Sequence, residues 1–462
     1  MSRLLFAVLA LGCLAAAEEP TIESGAVYAD NEELRGYLYE AAANHPALQA
    51  RYAEYEAALA RIPQVTSLDD PMLSYGYFVK SESARYRIGM AQKFPWFGTL
   101  RTRGNQAAAD ASVLLEQAYA ERNRLYRDVK QRYYEYAFLR DQIVTITGQE
   151  ELVEYIEDVV LSKYAVGMAP EDALLRVQTT REKLRDRREQ LEGLRVALSN
   201  RLAESIGRAA GDPIPWPTQL DLPVAPPELD QVIGMTRAAN PDLQALDYRI
   251  QSRSEAVELA EKKGYPDFTF GLEYQSLGSP TTHNPDRAYP SALYAANRIG
   301  NGIFGGATLD PAMTLIDFYS LATNNQSMNY PDDLEDNFAV SFSMNIPLWR
   351  SKVWAGVTEA HLRQRAAEHD KAKTELTLQS ALSRAVYTVD DERRRYALYE
   401  ESLLPKANRT YESVQSSYST GSGASFIDLM DSTRTLLDFQ LEQVRAAHNA
   451  RQAAADLEYL IG

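Results

Sequence analysis

A chain of 462 residues has room for two or three ordinary domains, or for one very elongated one. Its net charge of −16 and pI near 5.0 would repel a phosphate backbone, which excludes nucleic acid as a partner. The N-terminus reads as a secretory signal over 1–17: Met1-Ser-Arg3, an apolar run from Leu4 to Leu14, then Ala15-Ala16-Ala17 before Glu18. That run is too short to cross a bilayer as a helix. Cys13, the only cysteine, lies within it in Ala10-Leu-Gly-Cys13 and is the candidate lipidation site. A bulky Leu11 before the glycine fits a lipoprotein box poorly, so simple removal is the preferred reading. The exported chain then carries no cysteine and needs no disulfide. No later stretch approaches a transmembrane helix, so this protein enters a membrane with strands or not at all.

Residues 30–65 predict helix, interrupted at Asn44-His-Pro46-Ala-Leu48-Gln49-Ala50 and closed by Pro63. Two runs of period 2 follow, at about 71–79 and 85–93. Leu73, Tyr75, Tyr77 and Val79 share one face of the first, and Tyr86, Ile88 and Met90 one face of the second. Phe94-Pro95-Trp96-Phe97-Gly98 punctuates the chain, and helix resumes from 99 to about 163. At 1.5 Å per residue that is a rod of about 100 Å. Ala111, Ala118, Leu125 and Leu139 lie on one heptad row, with Leu115, Val129, Tyr136 and Ile143 on its partner, a coiled-coil seam broken by Arg122 and Arg132. A turn, Tyr164-Ala-Val-Gly167-Met-Ala-Pro170-Glu-Asp172, returns the chain as helix over 171–205.

After a proline-rich connector at 208–228 the pattern starts again. Asn240-Pro241-Asp-Leu243-Gln244-Ala245 echoes the earlier Asn-Pro block. Strands are predicted at 267–275 (Phe268, Phe270, Leu272 and Tyr274 on one face) and at 337–346 (Phe338, Val340, Phe342, Met344 and Ile346). Pro347-Leu-Trp349 echoes Pro95-Trp-Phe97, and helix over 350–417 leads to Tyr418-Ser-Thr-Gly421-Ser-Gly423, then to helix ending at Gly462. Leu202-Ala-Glu-Ser-Ile-Gly207 rhymes with Leu457-Glu-Tyr-Leu-Ile-Gly462. The chain is therefore a tandem duplication of helix, hairpin, very long helix, turn, helix, with repeats at 18–207 and 229–462. The second hairpin carries a long insertion, 277–336, of the kind outer-membrane barrels accept on the external side.

Strands of about ten residues suit a tilted bilayer crossing. Four of them cannot close a barrel, and open edges are not tolerated in lipid, so strands must be pooled between subunits; a trimer would supply twelve. Trp96, Phe97, Trp349 and Trp354 cluster where strands become helices, as an aromatic belt at a membrane edge does. The fold class is mainly α, a duplicated unit of long coiled-coil helices and a β-hairpin.

This arrangement resembles the TolC-like outer-membrane efflux duct family. The resemblance rests on the Asn-Pro blocks, on Gln92-Lys-Phe-Pro-Trp-Phe-Gly98 after the first hairpin, and on the two Tyr-x-x-Gly turns, and it covers nearly the whole exported chain. It implies a homotrimer with a twelve-stranded β-barrel continued by a periplasmic α-helical barrel. It also implies docking to a periplasmic adaptor and an inner-membrane pump of a tripartite efflux or type I secretion system. By the same resemblance Val166, Gly167, Met168, Thr420, Gly421 and Ser422 fall at adaptor-docking helix tips. Asp428 and Asp431, one helical turn apart, fall at a closed entrance, with Tyr418 as a hydrogen-bonding member. Six carboxylates around a throat would attract cations and raise one another's pKa on closure. The first half reads Leu174-Leu175-Arg176-Val177 there, so the ring would come from the second half only. The family's basic latch in the second turn has no counterpart in Ser422-Gly-Ala-Ser425. The aromatic block is similar to that of members serving heavy-metal or other cation exporters.

An enzyme would need more than the pairs Asp428/Asp431 or Glu171/Asp172 as acid and base, and the sequence holds no nucleophile elbow or phosphate loop. His361 and His369 are two helical turns apart, too far to share a metal, and no cofactor is implied. A passive, adhesin-like coiled coil would account for the long helices but not for membrane-type strands set as hairpins in a duplicated unit.

Overall fold

A computed structural model describes residues 31–79, 84–209, 211–218, 220–277, 336–421 and 423–462. The expected leader with Cys13, all but the ends of the 277–336 insertion, and Ser422 lie outside the described residues. In chain order the elements are α1 (Glu32–Asn44), α2 (Pro46–Thr66), β1 (Met72–Tyr77), β2 (Ala84–Phe94), α3 (Thr99–Ala165) and α4 (Glu171–Ile206). The second half supplies α5 (Leu229–Ala239), α6 (Pro241–Lys262), β3 (Asp267–Leu277), β4 (Asn337–Asn345), α7 (Arg350–Ala397), α8 (Leu404–Thr420) and α9 (Phe426–Ile461). They divide into a sheet unit, Leu59–Ala109 with Gln251–Arg365, and a helical unit made of the described residues of Met1–Ala58, Asp110–Ile250 and Ala366–Gly462.

The sheet unit is organised by one antiparallel sheet of order β1-β2-β3-β4. Its register keeps like faces together. Leu73 opposes Met90 and Tyr75 opposes Ile88; Met90 then opposes Leu272, and Ile88 opposes Tyr274. Leu272 opposes Val340, and Phe270 opposes Phe342. Because side chains alternate with period 2, all of these project from one face. The other face carries Gly89, Gly271, Ser341 and Thr269 with two ion pairs, Arg87–Glu273 at 3.7 Å and Lys93–Asp267 at 2.9 Å. A Cβ on Gly271 would lie 2.5 Å from Ser341 Oγ and one on Gly89 2.8 Å from Ser74 Oγ, so glycine lets the polar face pack closely.

The helical unit holds three apolar cores. In the first, Leu34 and Leu38 of α1 and Leu48 of α2 meet Val129, Tyr133 and Tyr136 of α3 and Leu202 and Ile206 of α4. In the second, Val153, Ile156 and Val160 of α3 meet Ala173 and Val177 of α4 and Tyr411, Tyr418, Leu429 and Leu436 of α8 and α9. The third packs Val232 of α5, Leu382 and Val389 of α7 and Leu457 and Ile461 of α9. Of the residues that break the α3 heptads, Arg122 lies over the Tyr119 ring at 5.1 Å, and Arg132 donates to the Arg201 carbonyl at 2.7 Å. Each arginine thus finds a partner its stem can reach.

The rhyming sequence blocks are also brought into contact in the fold. A Cβ on Gly207 would come within 3.3 Å of Asn44, and one on Gly462 within 2.7 Å of the Ala239 carbonyl oxygen and 2.8 Å of Asn240 Cα. Both glycines have positive φ, 88° and 125°. The last glycine of each repeat therefore seats against the break between that repeat's first two helices, where a side chain would not fit.

Two expectations need correction. Pro63 does not close its segment: it lies inside α2, which runs on to Thr66. The helix predicted over 350–417 is not uniform either. Residues Leu398–Leu403 form a π turn between α7 and α8, just before Pro405. A proline inside a helix lacks an N–H and crowds the carbonyl four residues back, and a widened turn accommodates both.

Candidate functional site at the helix tips and the sheet faces

In the sheet unit the apolar face is uncovered: Leu73 is 73% exposed, Val340 69% and Phe342 56%. In the described sheet, β1 and β4 each pair on one side only, which leaves two free edges. At the strand–helix junction Trp96 is half-buried, stacked on Tyr265 at 4.9 Å with its edge toward Phe97. Phe97 and Trp349 stand out at 78% and 77% exposure.

In the helical unit two tips are built on the same turn. Gly167, at φ 75°, donates its N–H to the Tyr164 carbonyl at 2.9 Å, and Met168 donates to Lys163 at 2.8 Å. Together these bonds make the Schellman closure that satisfies the last carbonyls of α3. α4 then starts after Pro170 with no side-chain cap, and Glu171 and Asp172 occupy its first turn. At the second tip Gly421 is again at φ 75°, donating to the Tyr418 carbonyl at 3.3 Å.

Beyond its glycine the second tip differs from the first. Asp428 N–H donates to Ser425 Oγ at 3.2 Å, while Ser425 N–H and Oγ–H each donate to Asp428 Oδ2 at 2.8 Å. This is a capping box with aspartate in the third position. The Ser425 backbone N–H, and then its hydroxyl, favour the ionised form and hold the Asp428 carboxyl below its ordinary range. In the single chain that direction is opposite to the rise expected of a closed ring. Asp431, one turn further on, is exposed.

The tips are tied to each other. Lys163 Nζ lies 4.4 Å from the centre of the Tyr418 ring and donates to the Tyr418 carbonyl oxygen. Tyr418 is only 7% exposed, and burial raises the pKa of its hydroxyl. The cation therefore serves twice, over an aromatic face and at the negative end of α8.

The sequence model of the outer membrane efflux protein family matches residues 37–208 and 305–462, well over half of the chain. The chain belongs to the outer membrane efflux protein family. Solved structures share its fold. A membrane protein from Pseudomonas aeruginosa is 16% identical with a TM-score of 0.71, covering 96% of this chain and 97% of that one. VceC, an outer membrane protein of Vibrio cholerae, is 16% identical with a TM-score of 0.68, covering 93% and 96%. The CmeC outer membrane channel of Campylobacter jejuni is 12% identical with a TM-score of 0.65, covering 97% and 90%. No curated protein matches the sequence.

As an outer membrane efflux protein the chain is a channel component of the outer membrane that extends into the periplasm. No helix among the described residues is long and apolar enough to cross a membrane. At the tips of this efflux protein Val166 and Met168 are 67% and 77% exposed, and Thr420 and Gly421 are exposed too. The residue that sequence reasoning missed is Lys163. The resemblance directs attention to a basic partner within the second turn, whereas the fold brings one from the end of α3. The signal was present as the basic residue in the last turn of α3.

Proposed function

We propose that the protein is the exit duct of a tripartite efflux or type I secretion system, working as a homotrimer that passes its cargo passively across the outer membrane. The observation that carries this reading is a four-stranded sheet with one exposed apolar face, one polar face and two free edges. In lipid each unpaired backbone group costs several kcal/mol, so the edges must pair. β4 of one subunit against β1 of the next closes twelve strands, with the apolar face to lipid and the Arg87–Glu273 face to the lumen.

The tips form the entrance. Asp431, with Asp428 beside it, supplies carboxylates to a ring that favours cations and resists its own closure. Lys163 on Tyr418 ties the two hairpins of a subunit and holds them together when the entrance is shut. Val166, Gly167, Met168, Thr420, Gly421 and Ser422 present the surface for the periplasmic adaptor, which links the duct to an inner-membrane pump.

Single-channel recording of the purified protein in a planar bilayer tests this. Discrete conductance from a trimer is expected, with weaker block by divalent cations in the Asp428→Asn, Asp431→Asn double variant. A monomer that inserts no channel would overturn the duct, and unchanged divalent block would overturn the ring.

A further inference from the structure

The points where strands hand over to helices lie together at one end of the sheet. Lys262 Nζ is 3.0 Å from the position of a Cβ on Gly98, and Val353 Cγ1 is 3.2 Å from that of one on Gly264. Trp96 stacks on Tyr265 across the same junction. The first turns of α3 and α7 and the last turn of α6 are thereby neighbours.

Basic side chains gather there. Arg101 and Arg103 come from α3, Lys263 follows α6, and Arg350 and Lys352 open α7; all five are exposed. Among the described residues none of the five is in an ion pair. On α4, by contrast, Arg181 holds Glu154 and Glu157, and Arg188 holds Glu150 and Glu192. At the junction itself Lys93 and Lys262 are matched by Asp267 and Glu258. The exposed carboxylates left over at this edge, Asp69, Asp70 and Glu261, are fewer than these five cations, of which Arg101 also acts at longer range on Glu258. In a chain of net charge −16 this is a local reversal of sign.

The same edge exposes large apolar side chains. Phe97 is 78% exposed, Leu348 and Trp349 77%, and Trp354 76%. Rings and cations have different needs at a bilayer surface. An indole settles at the headgroup level, while guanidinium and ammonium groups reach phosphates just outside. Arginine adds a bidentate fork that suits a phosphate, and a negatively charged headgroup adds long-range attraction.

We propose that this edge is a binding surface for anionic phospholipid headgroups of the leaflet nearest the helix starts, with Arg101, Arg103, Arg350 and Lys352 as the phosphate-binding side chains. The inference rests on reading the sheet as a bilayer-spanning element. It adds a lipid class to that reading and names the residues that select it.

The test uses the full-length protein in nanodiscs made from equal parts phosphatidylglycerol and phosphatidylcholine. The lipids retained on extraction are counted by native mass spectrometry, and conductance is recorded in parallel. Wild type is expected to retain phosphatidylglycerol preferentially, and this preference should weaken as salt shortens the screening length. A variant carrying R101Q, R103Q, R350Q and K352Q should lose about tenfold of the preference, since each basic group near the surface adds its own increment. Its conductance should be unchanged, because none of the four lies in the gate. A control carrying R101K, R103K and R350K should keep most of the preference. Conducting wild-type channels that retain both lipids equally would overturn the inference and leave the duct standing. A preference that survives in the glutamine variant would overturn it as well. Protein that never conducts in any lipid would overturn both readings.

Discussion

Gly167 and Gly421 sit at the same φ of 75°, each ends a long helix, and neither would meet any atom within 4 Å if given a Cβ. The two turns are thus the same backbone solution, chosen by conformation rather than by crowding. They part company one or two residues later. After Gly167 the chain leaves through Met168, which with Val166 is exposed on either side of the turn, to an uncapped α4. After Gly421 it leaves through Gly423 to a capping box that takes up the Asp428 carboxylate. The comparison teaches that duplication preserved the fold of the tip while freeing its chemistry to diverge. One copy became an apolar surface with a projecting lysine. The other became a capped helix start carrying Asp428 and Asp431, beyond the tyrosine that receives that lysine.

That contrast can be broken at several points. The largest effect is expected from Leu429→Ala, because Leu429 is 1% exposed in the core shared by both tips. Truncation should cost about 3 kcal/mol in denaturant unfolding and loosen both tips in hydrogen exchange. Loosening of the second tip alone would show that the shared core does not couple them. Lys163→Met should come next. Losing the cation over the Tyr418 ring costs about 1 kcal/mol, which corresponds to a roughly fivefold rise in open probability in bilayer recordings. Gating like that of wild type would remove Lys163 from the entrance.

Gly167→Ala and Gly421→Ala should cost the same, about 1 kcal/mol each, since both force a Cβ into the left-handed region. Unequal costs would mean that the turns differ in backbone as well as in chemistry. Ser425→Ala should cost about 1 kcal/mol by removing the cap of α9, with no equivalent loss available at the uncapped first tip.

The subtlest difference is in pH dependence. Asp428 has a folded pKa below its ordinary 3.8, so its contribution to the second tip is complete above that value. The contribution is lost as pH falls through the folded pKa. Hydrogen exchange at the start of α9 should therefore quicken in strong acid; Asp428→Asn should abolish that acid response, and Ser425→Ala, which keeps the backbone N–H on Asp428, should only weaken it. Exchange that stays flat across this range in wild type would refute the capping role of Asp428.

Much of this architecture was legible because its signals are periodic and local. Alternating Phe268, Phe270, Leu272 and Tyr274 can make only one kind of half-buried strand, and long stretches free of proline and glycine can hardly be other than helix. The π turn at Leu398–Leu403 was not legible, because it arises from how Pro405 is accommodated inside a helix that continues past it. Pro63 misled for the related reason that a proline near a helix end costs little when the helix stops soon after. At the tips, Asp428 and Asp431 were visible as a pair on one helix face. Their different situations were not, since a capping box depends on where α9 starts, and Ser425 marks that start only once the turn has formed.

Sequence by itself determined the repeat, the order of helices and strands, the face each strand would show, and the two glycine turns. All of these come from period and local backbone preference, which act over a few residues. Only the tertiary structure decided which strands are neighbours, that Gly207 and Gly462 seat against the first helix break of their own repeats, and that Lys163 rests on Tyr418. That last pairing joins residues 163 and 418, far apart along the chain and in different repeats. No local rule can place a cation on a ring at that separation; the packing of α3 against α8 and α9 does it.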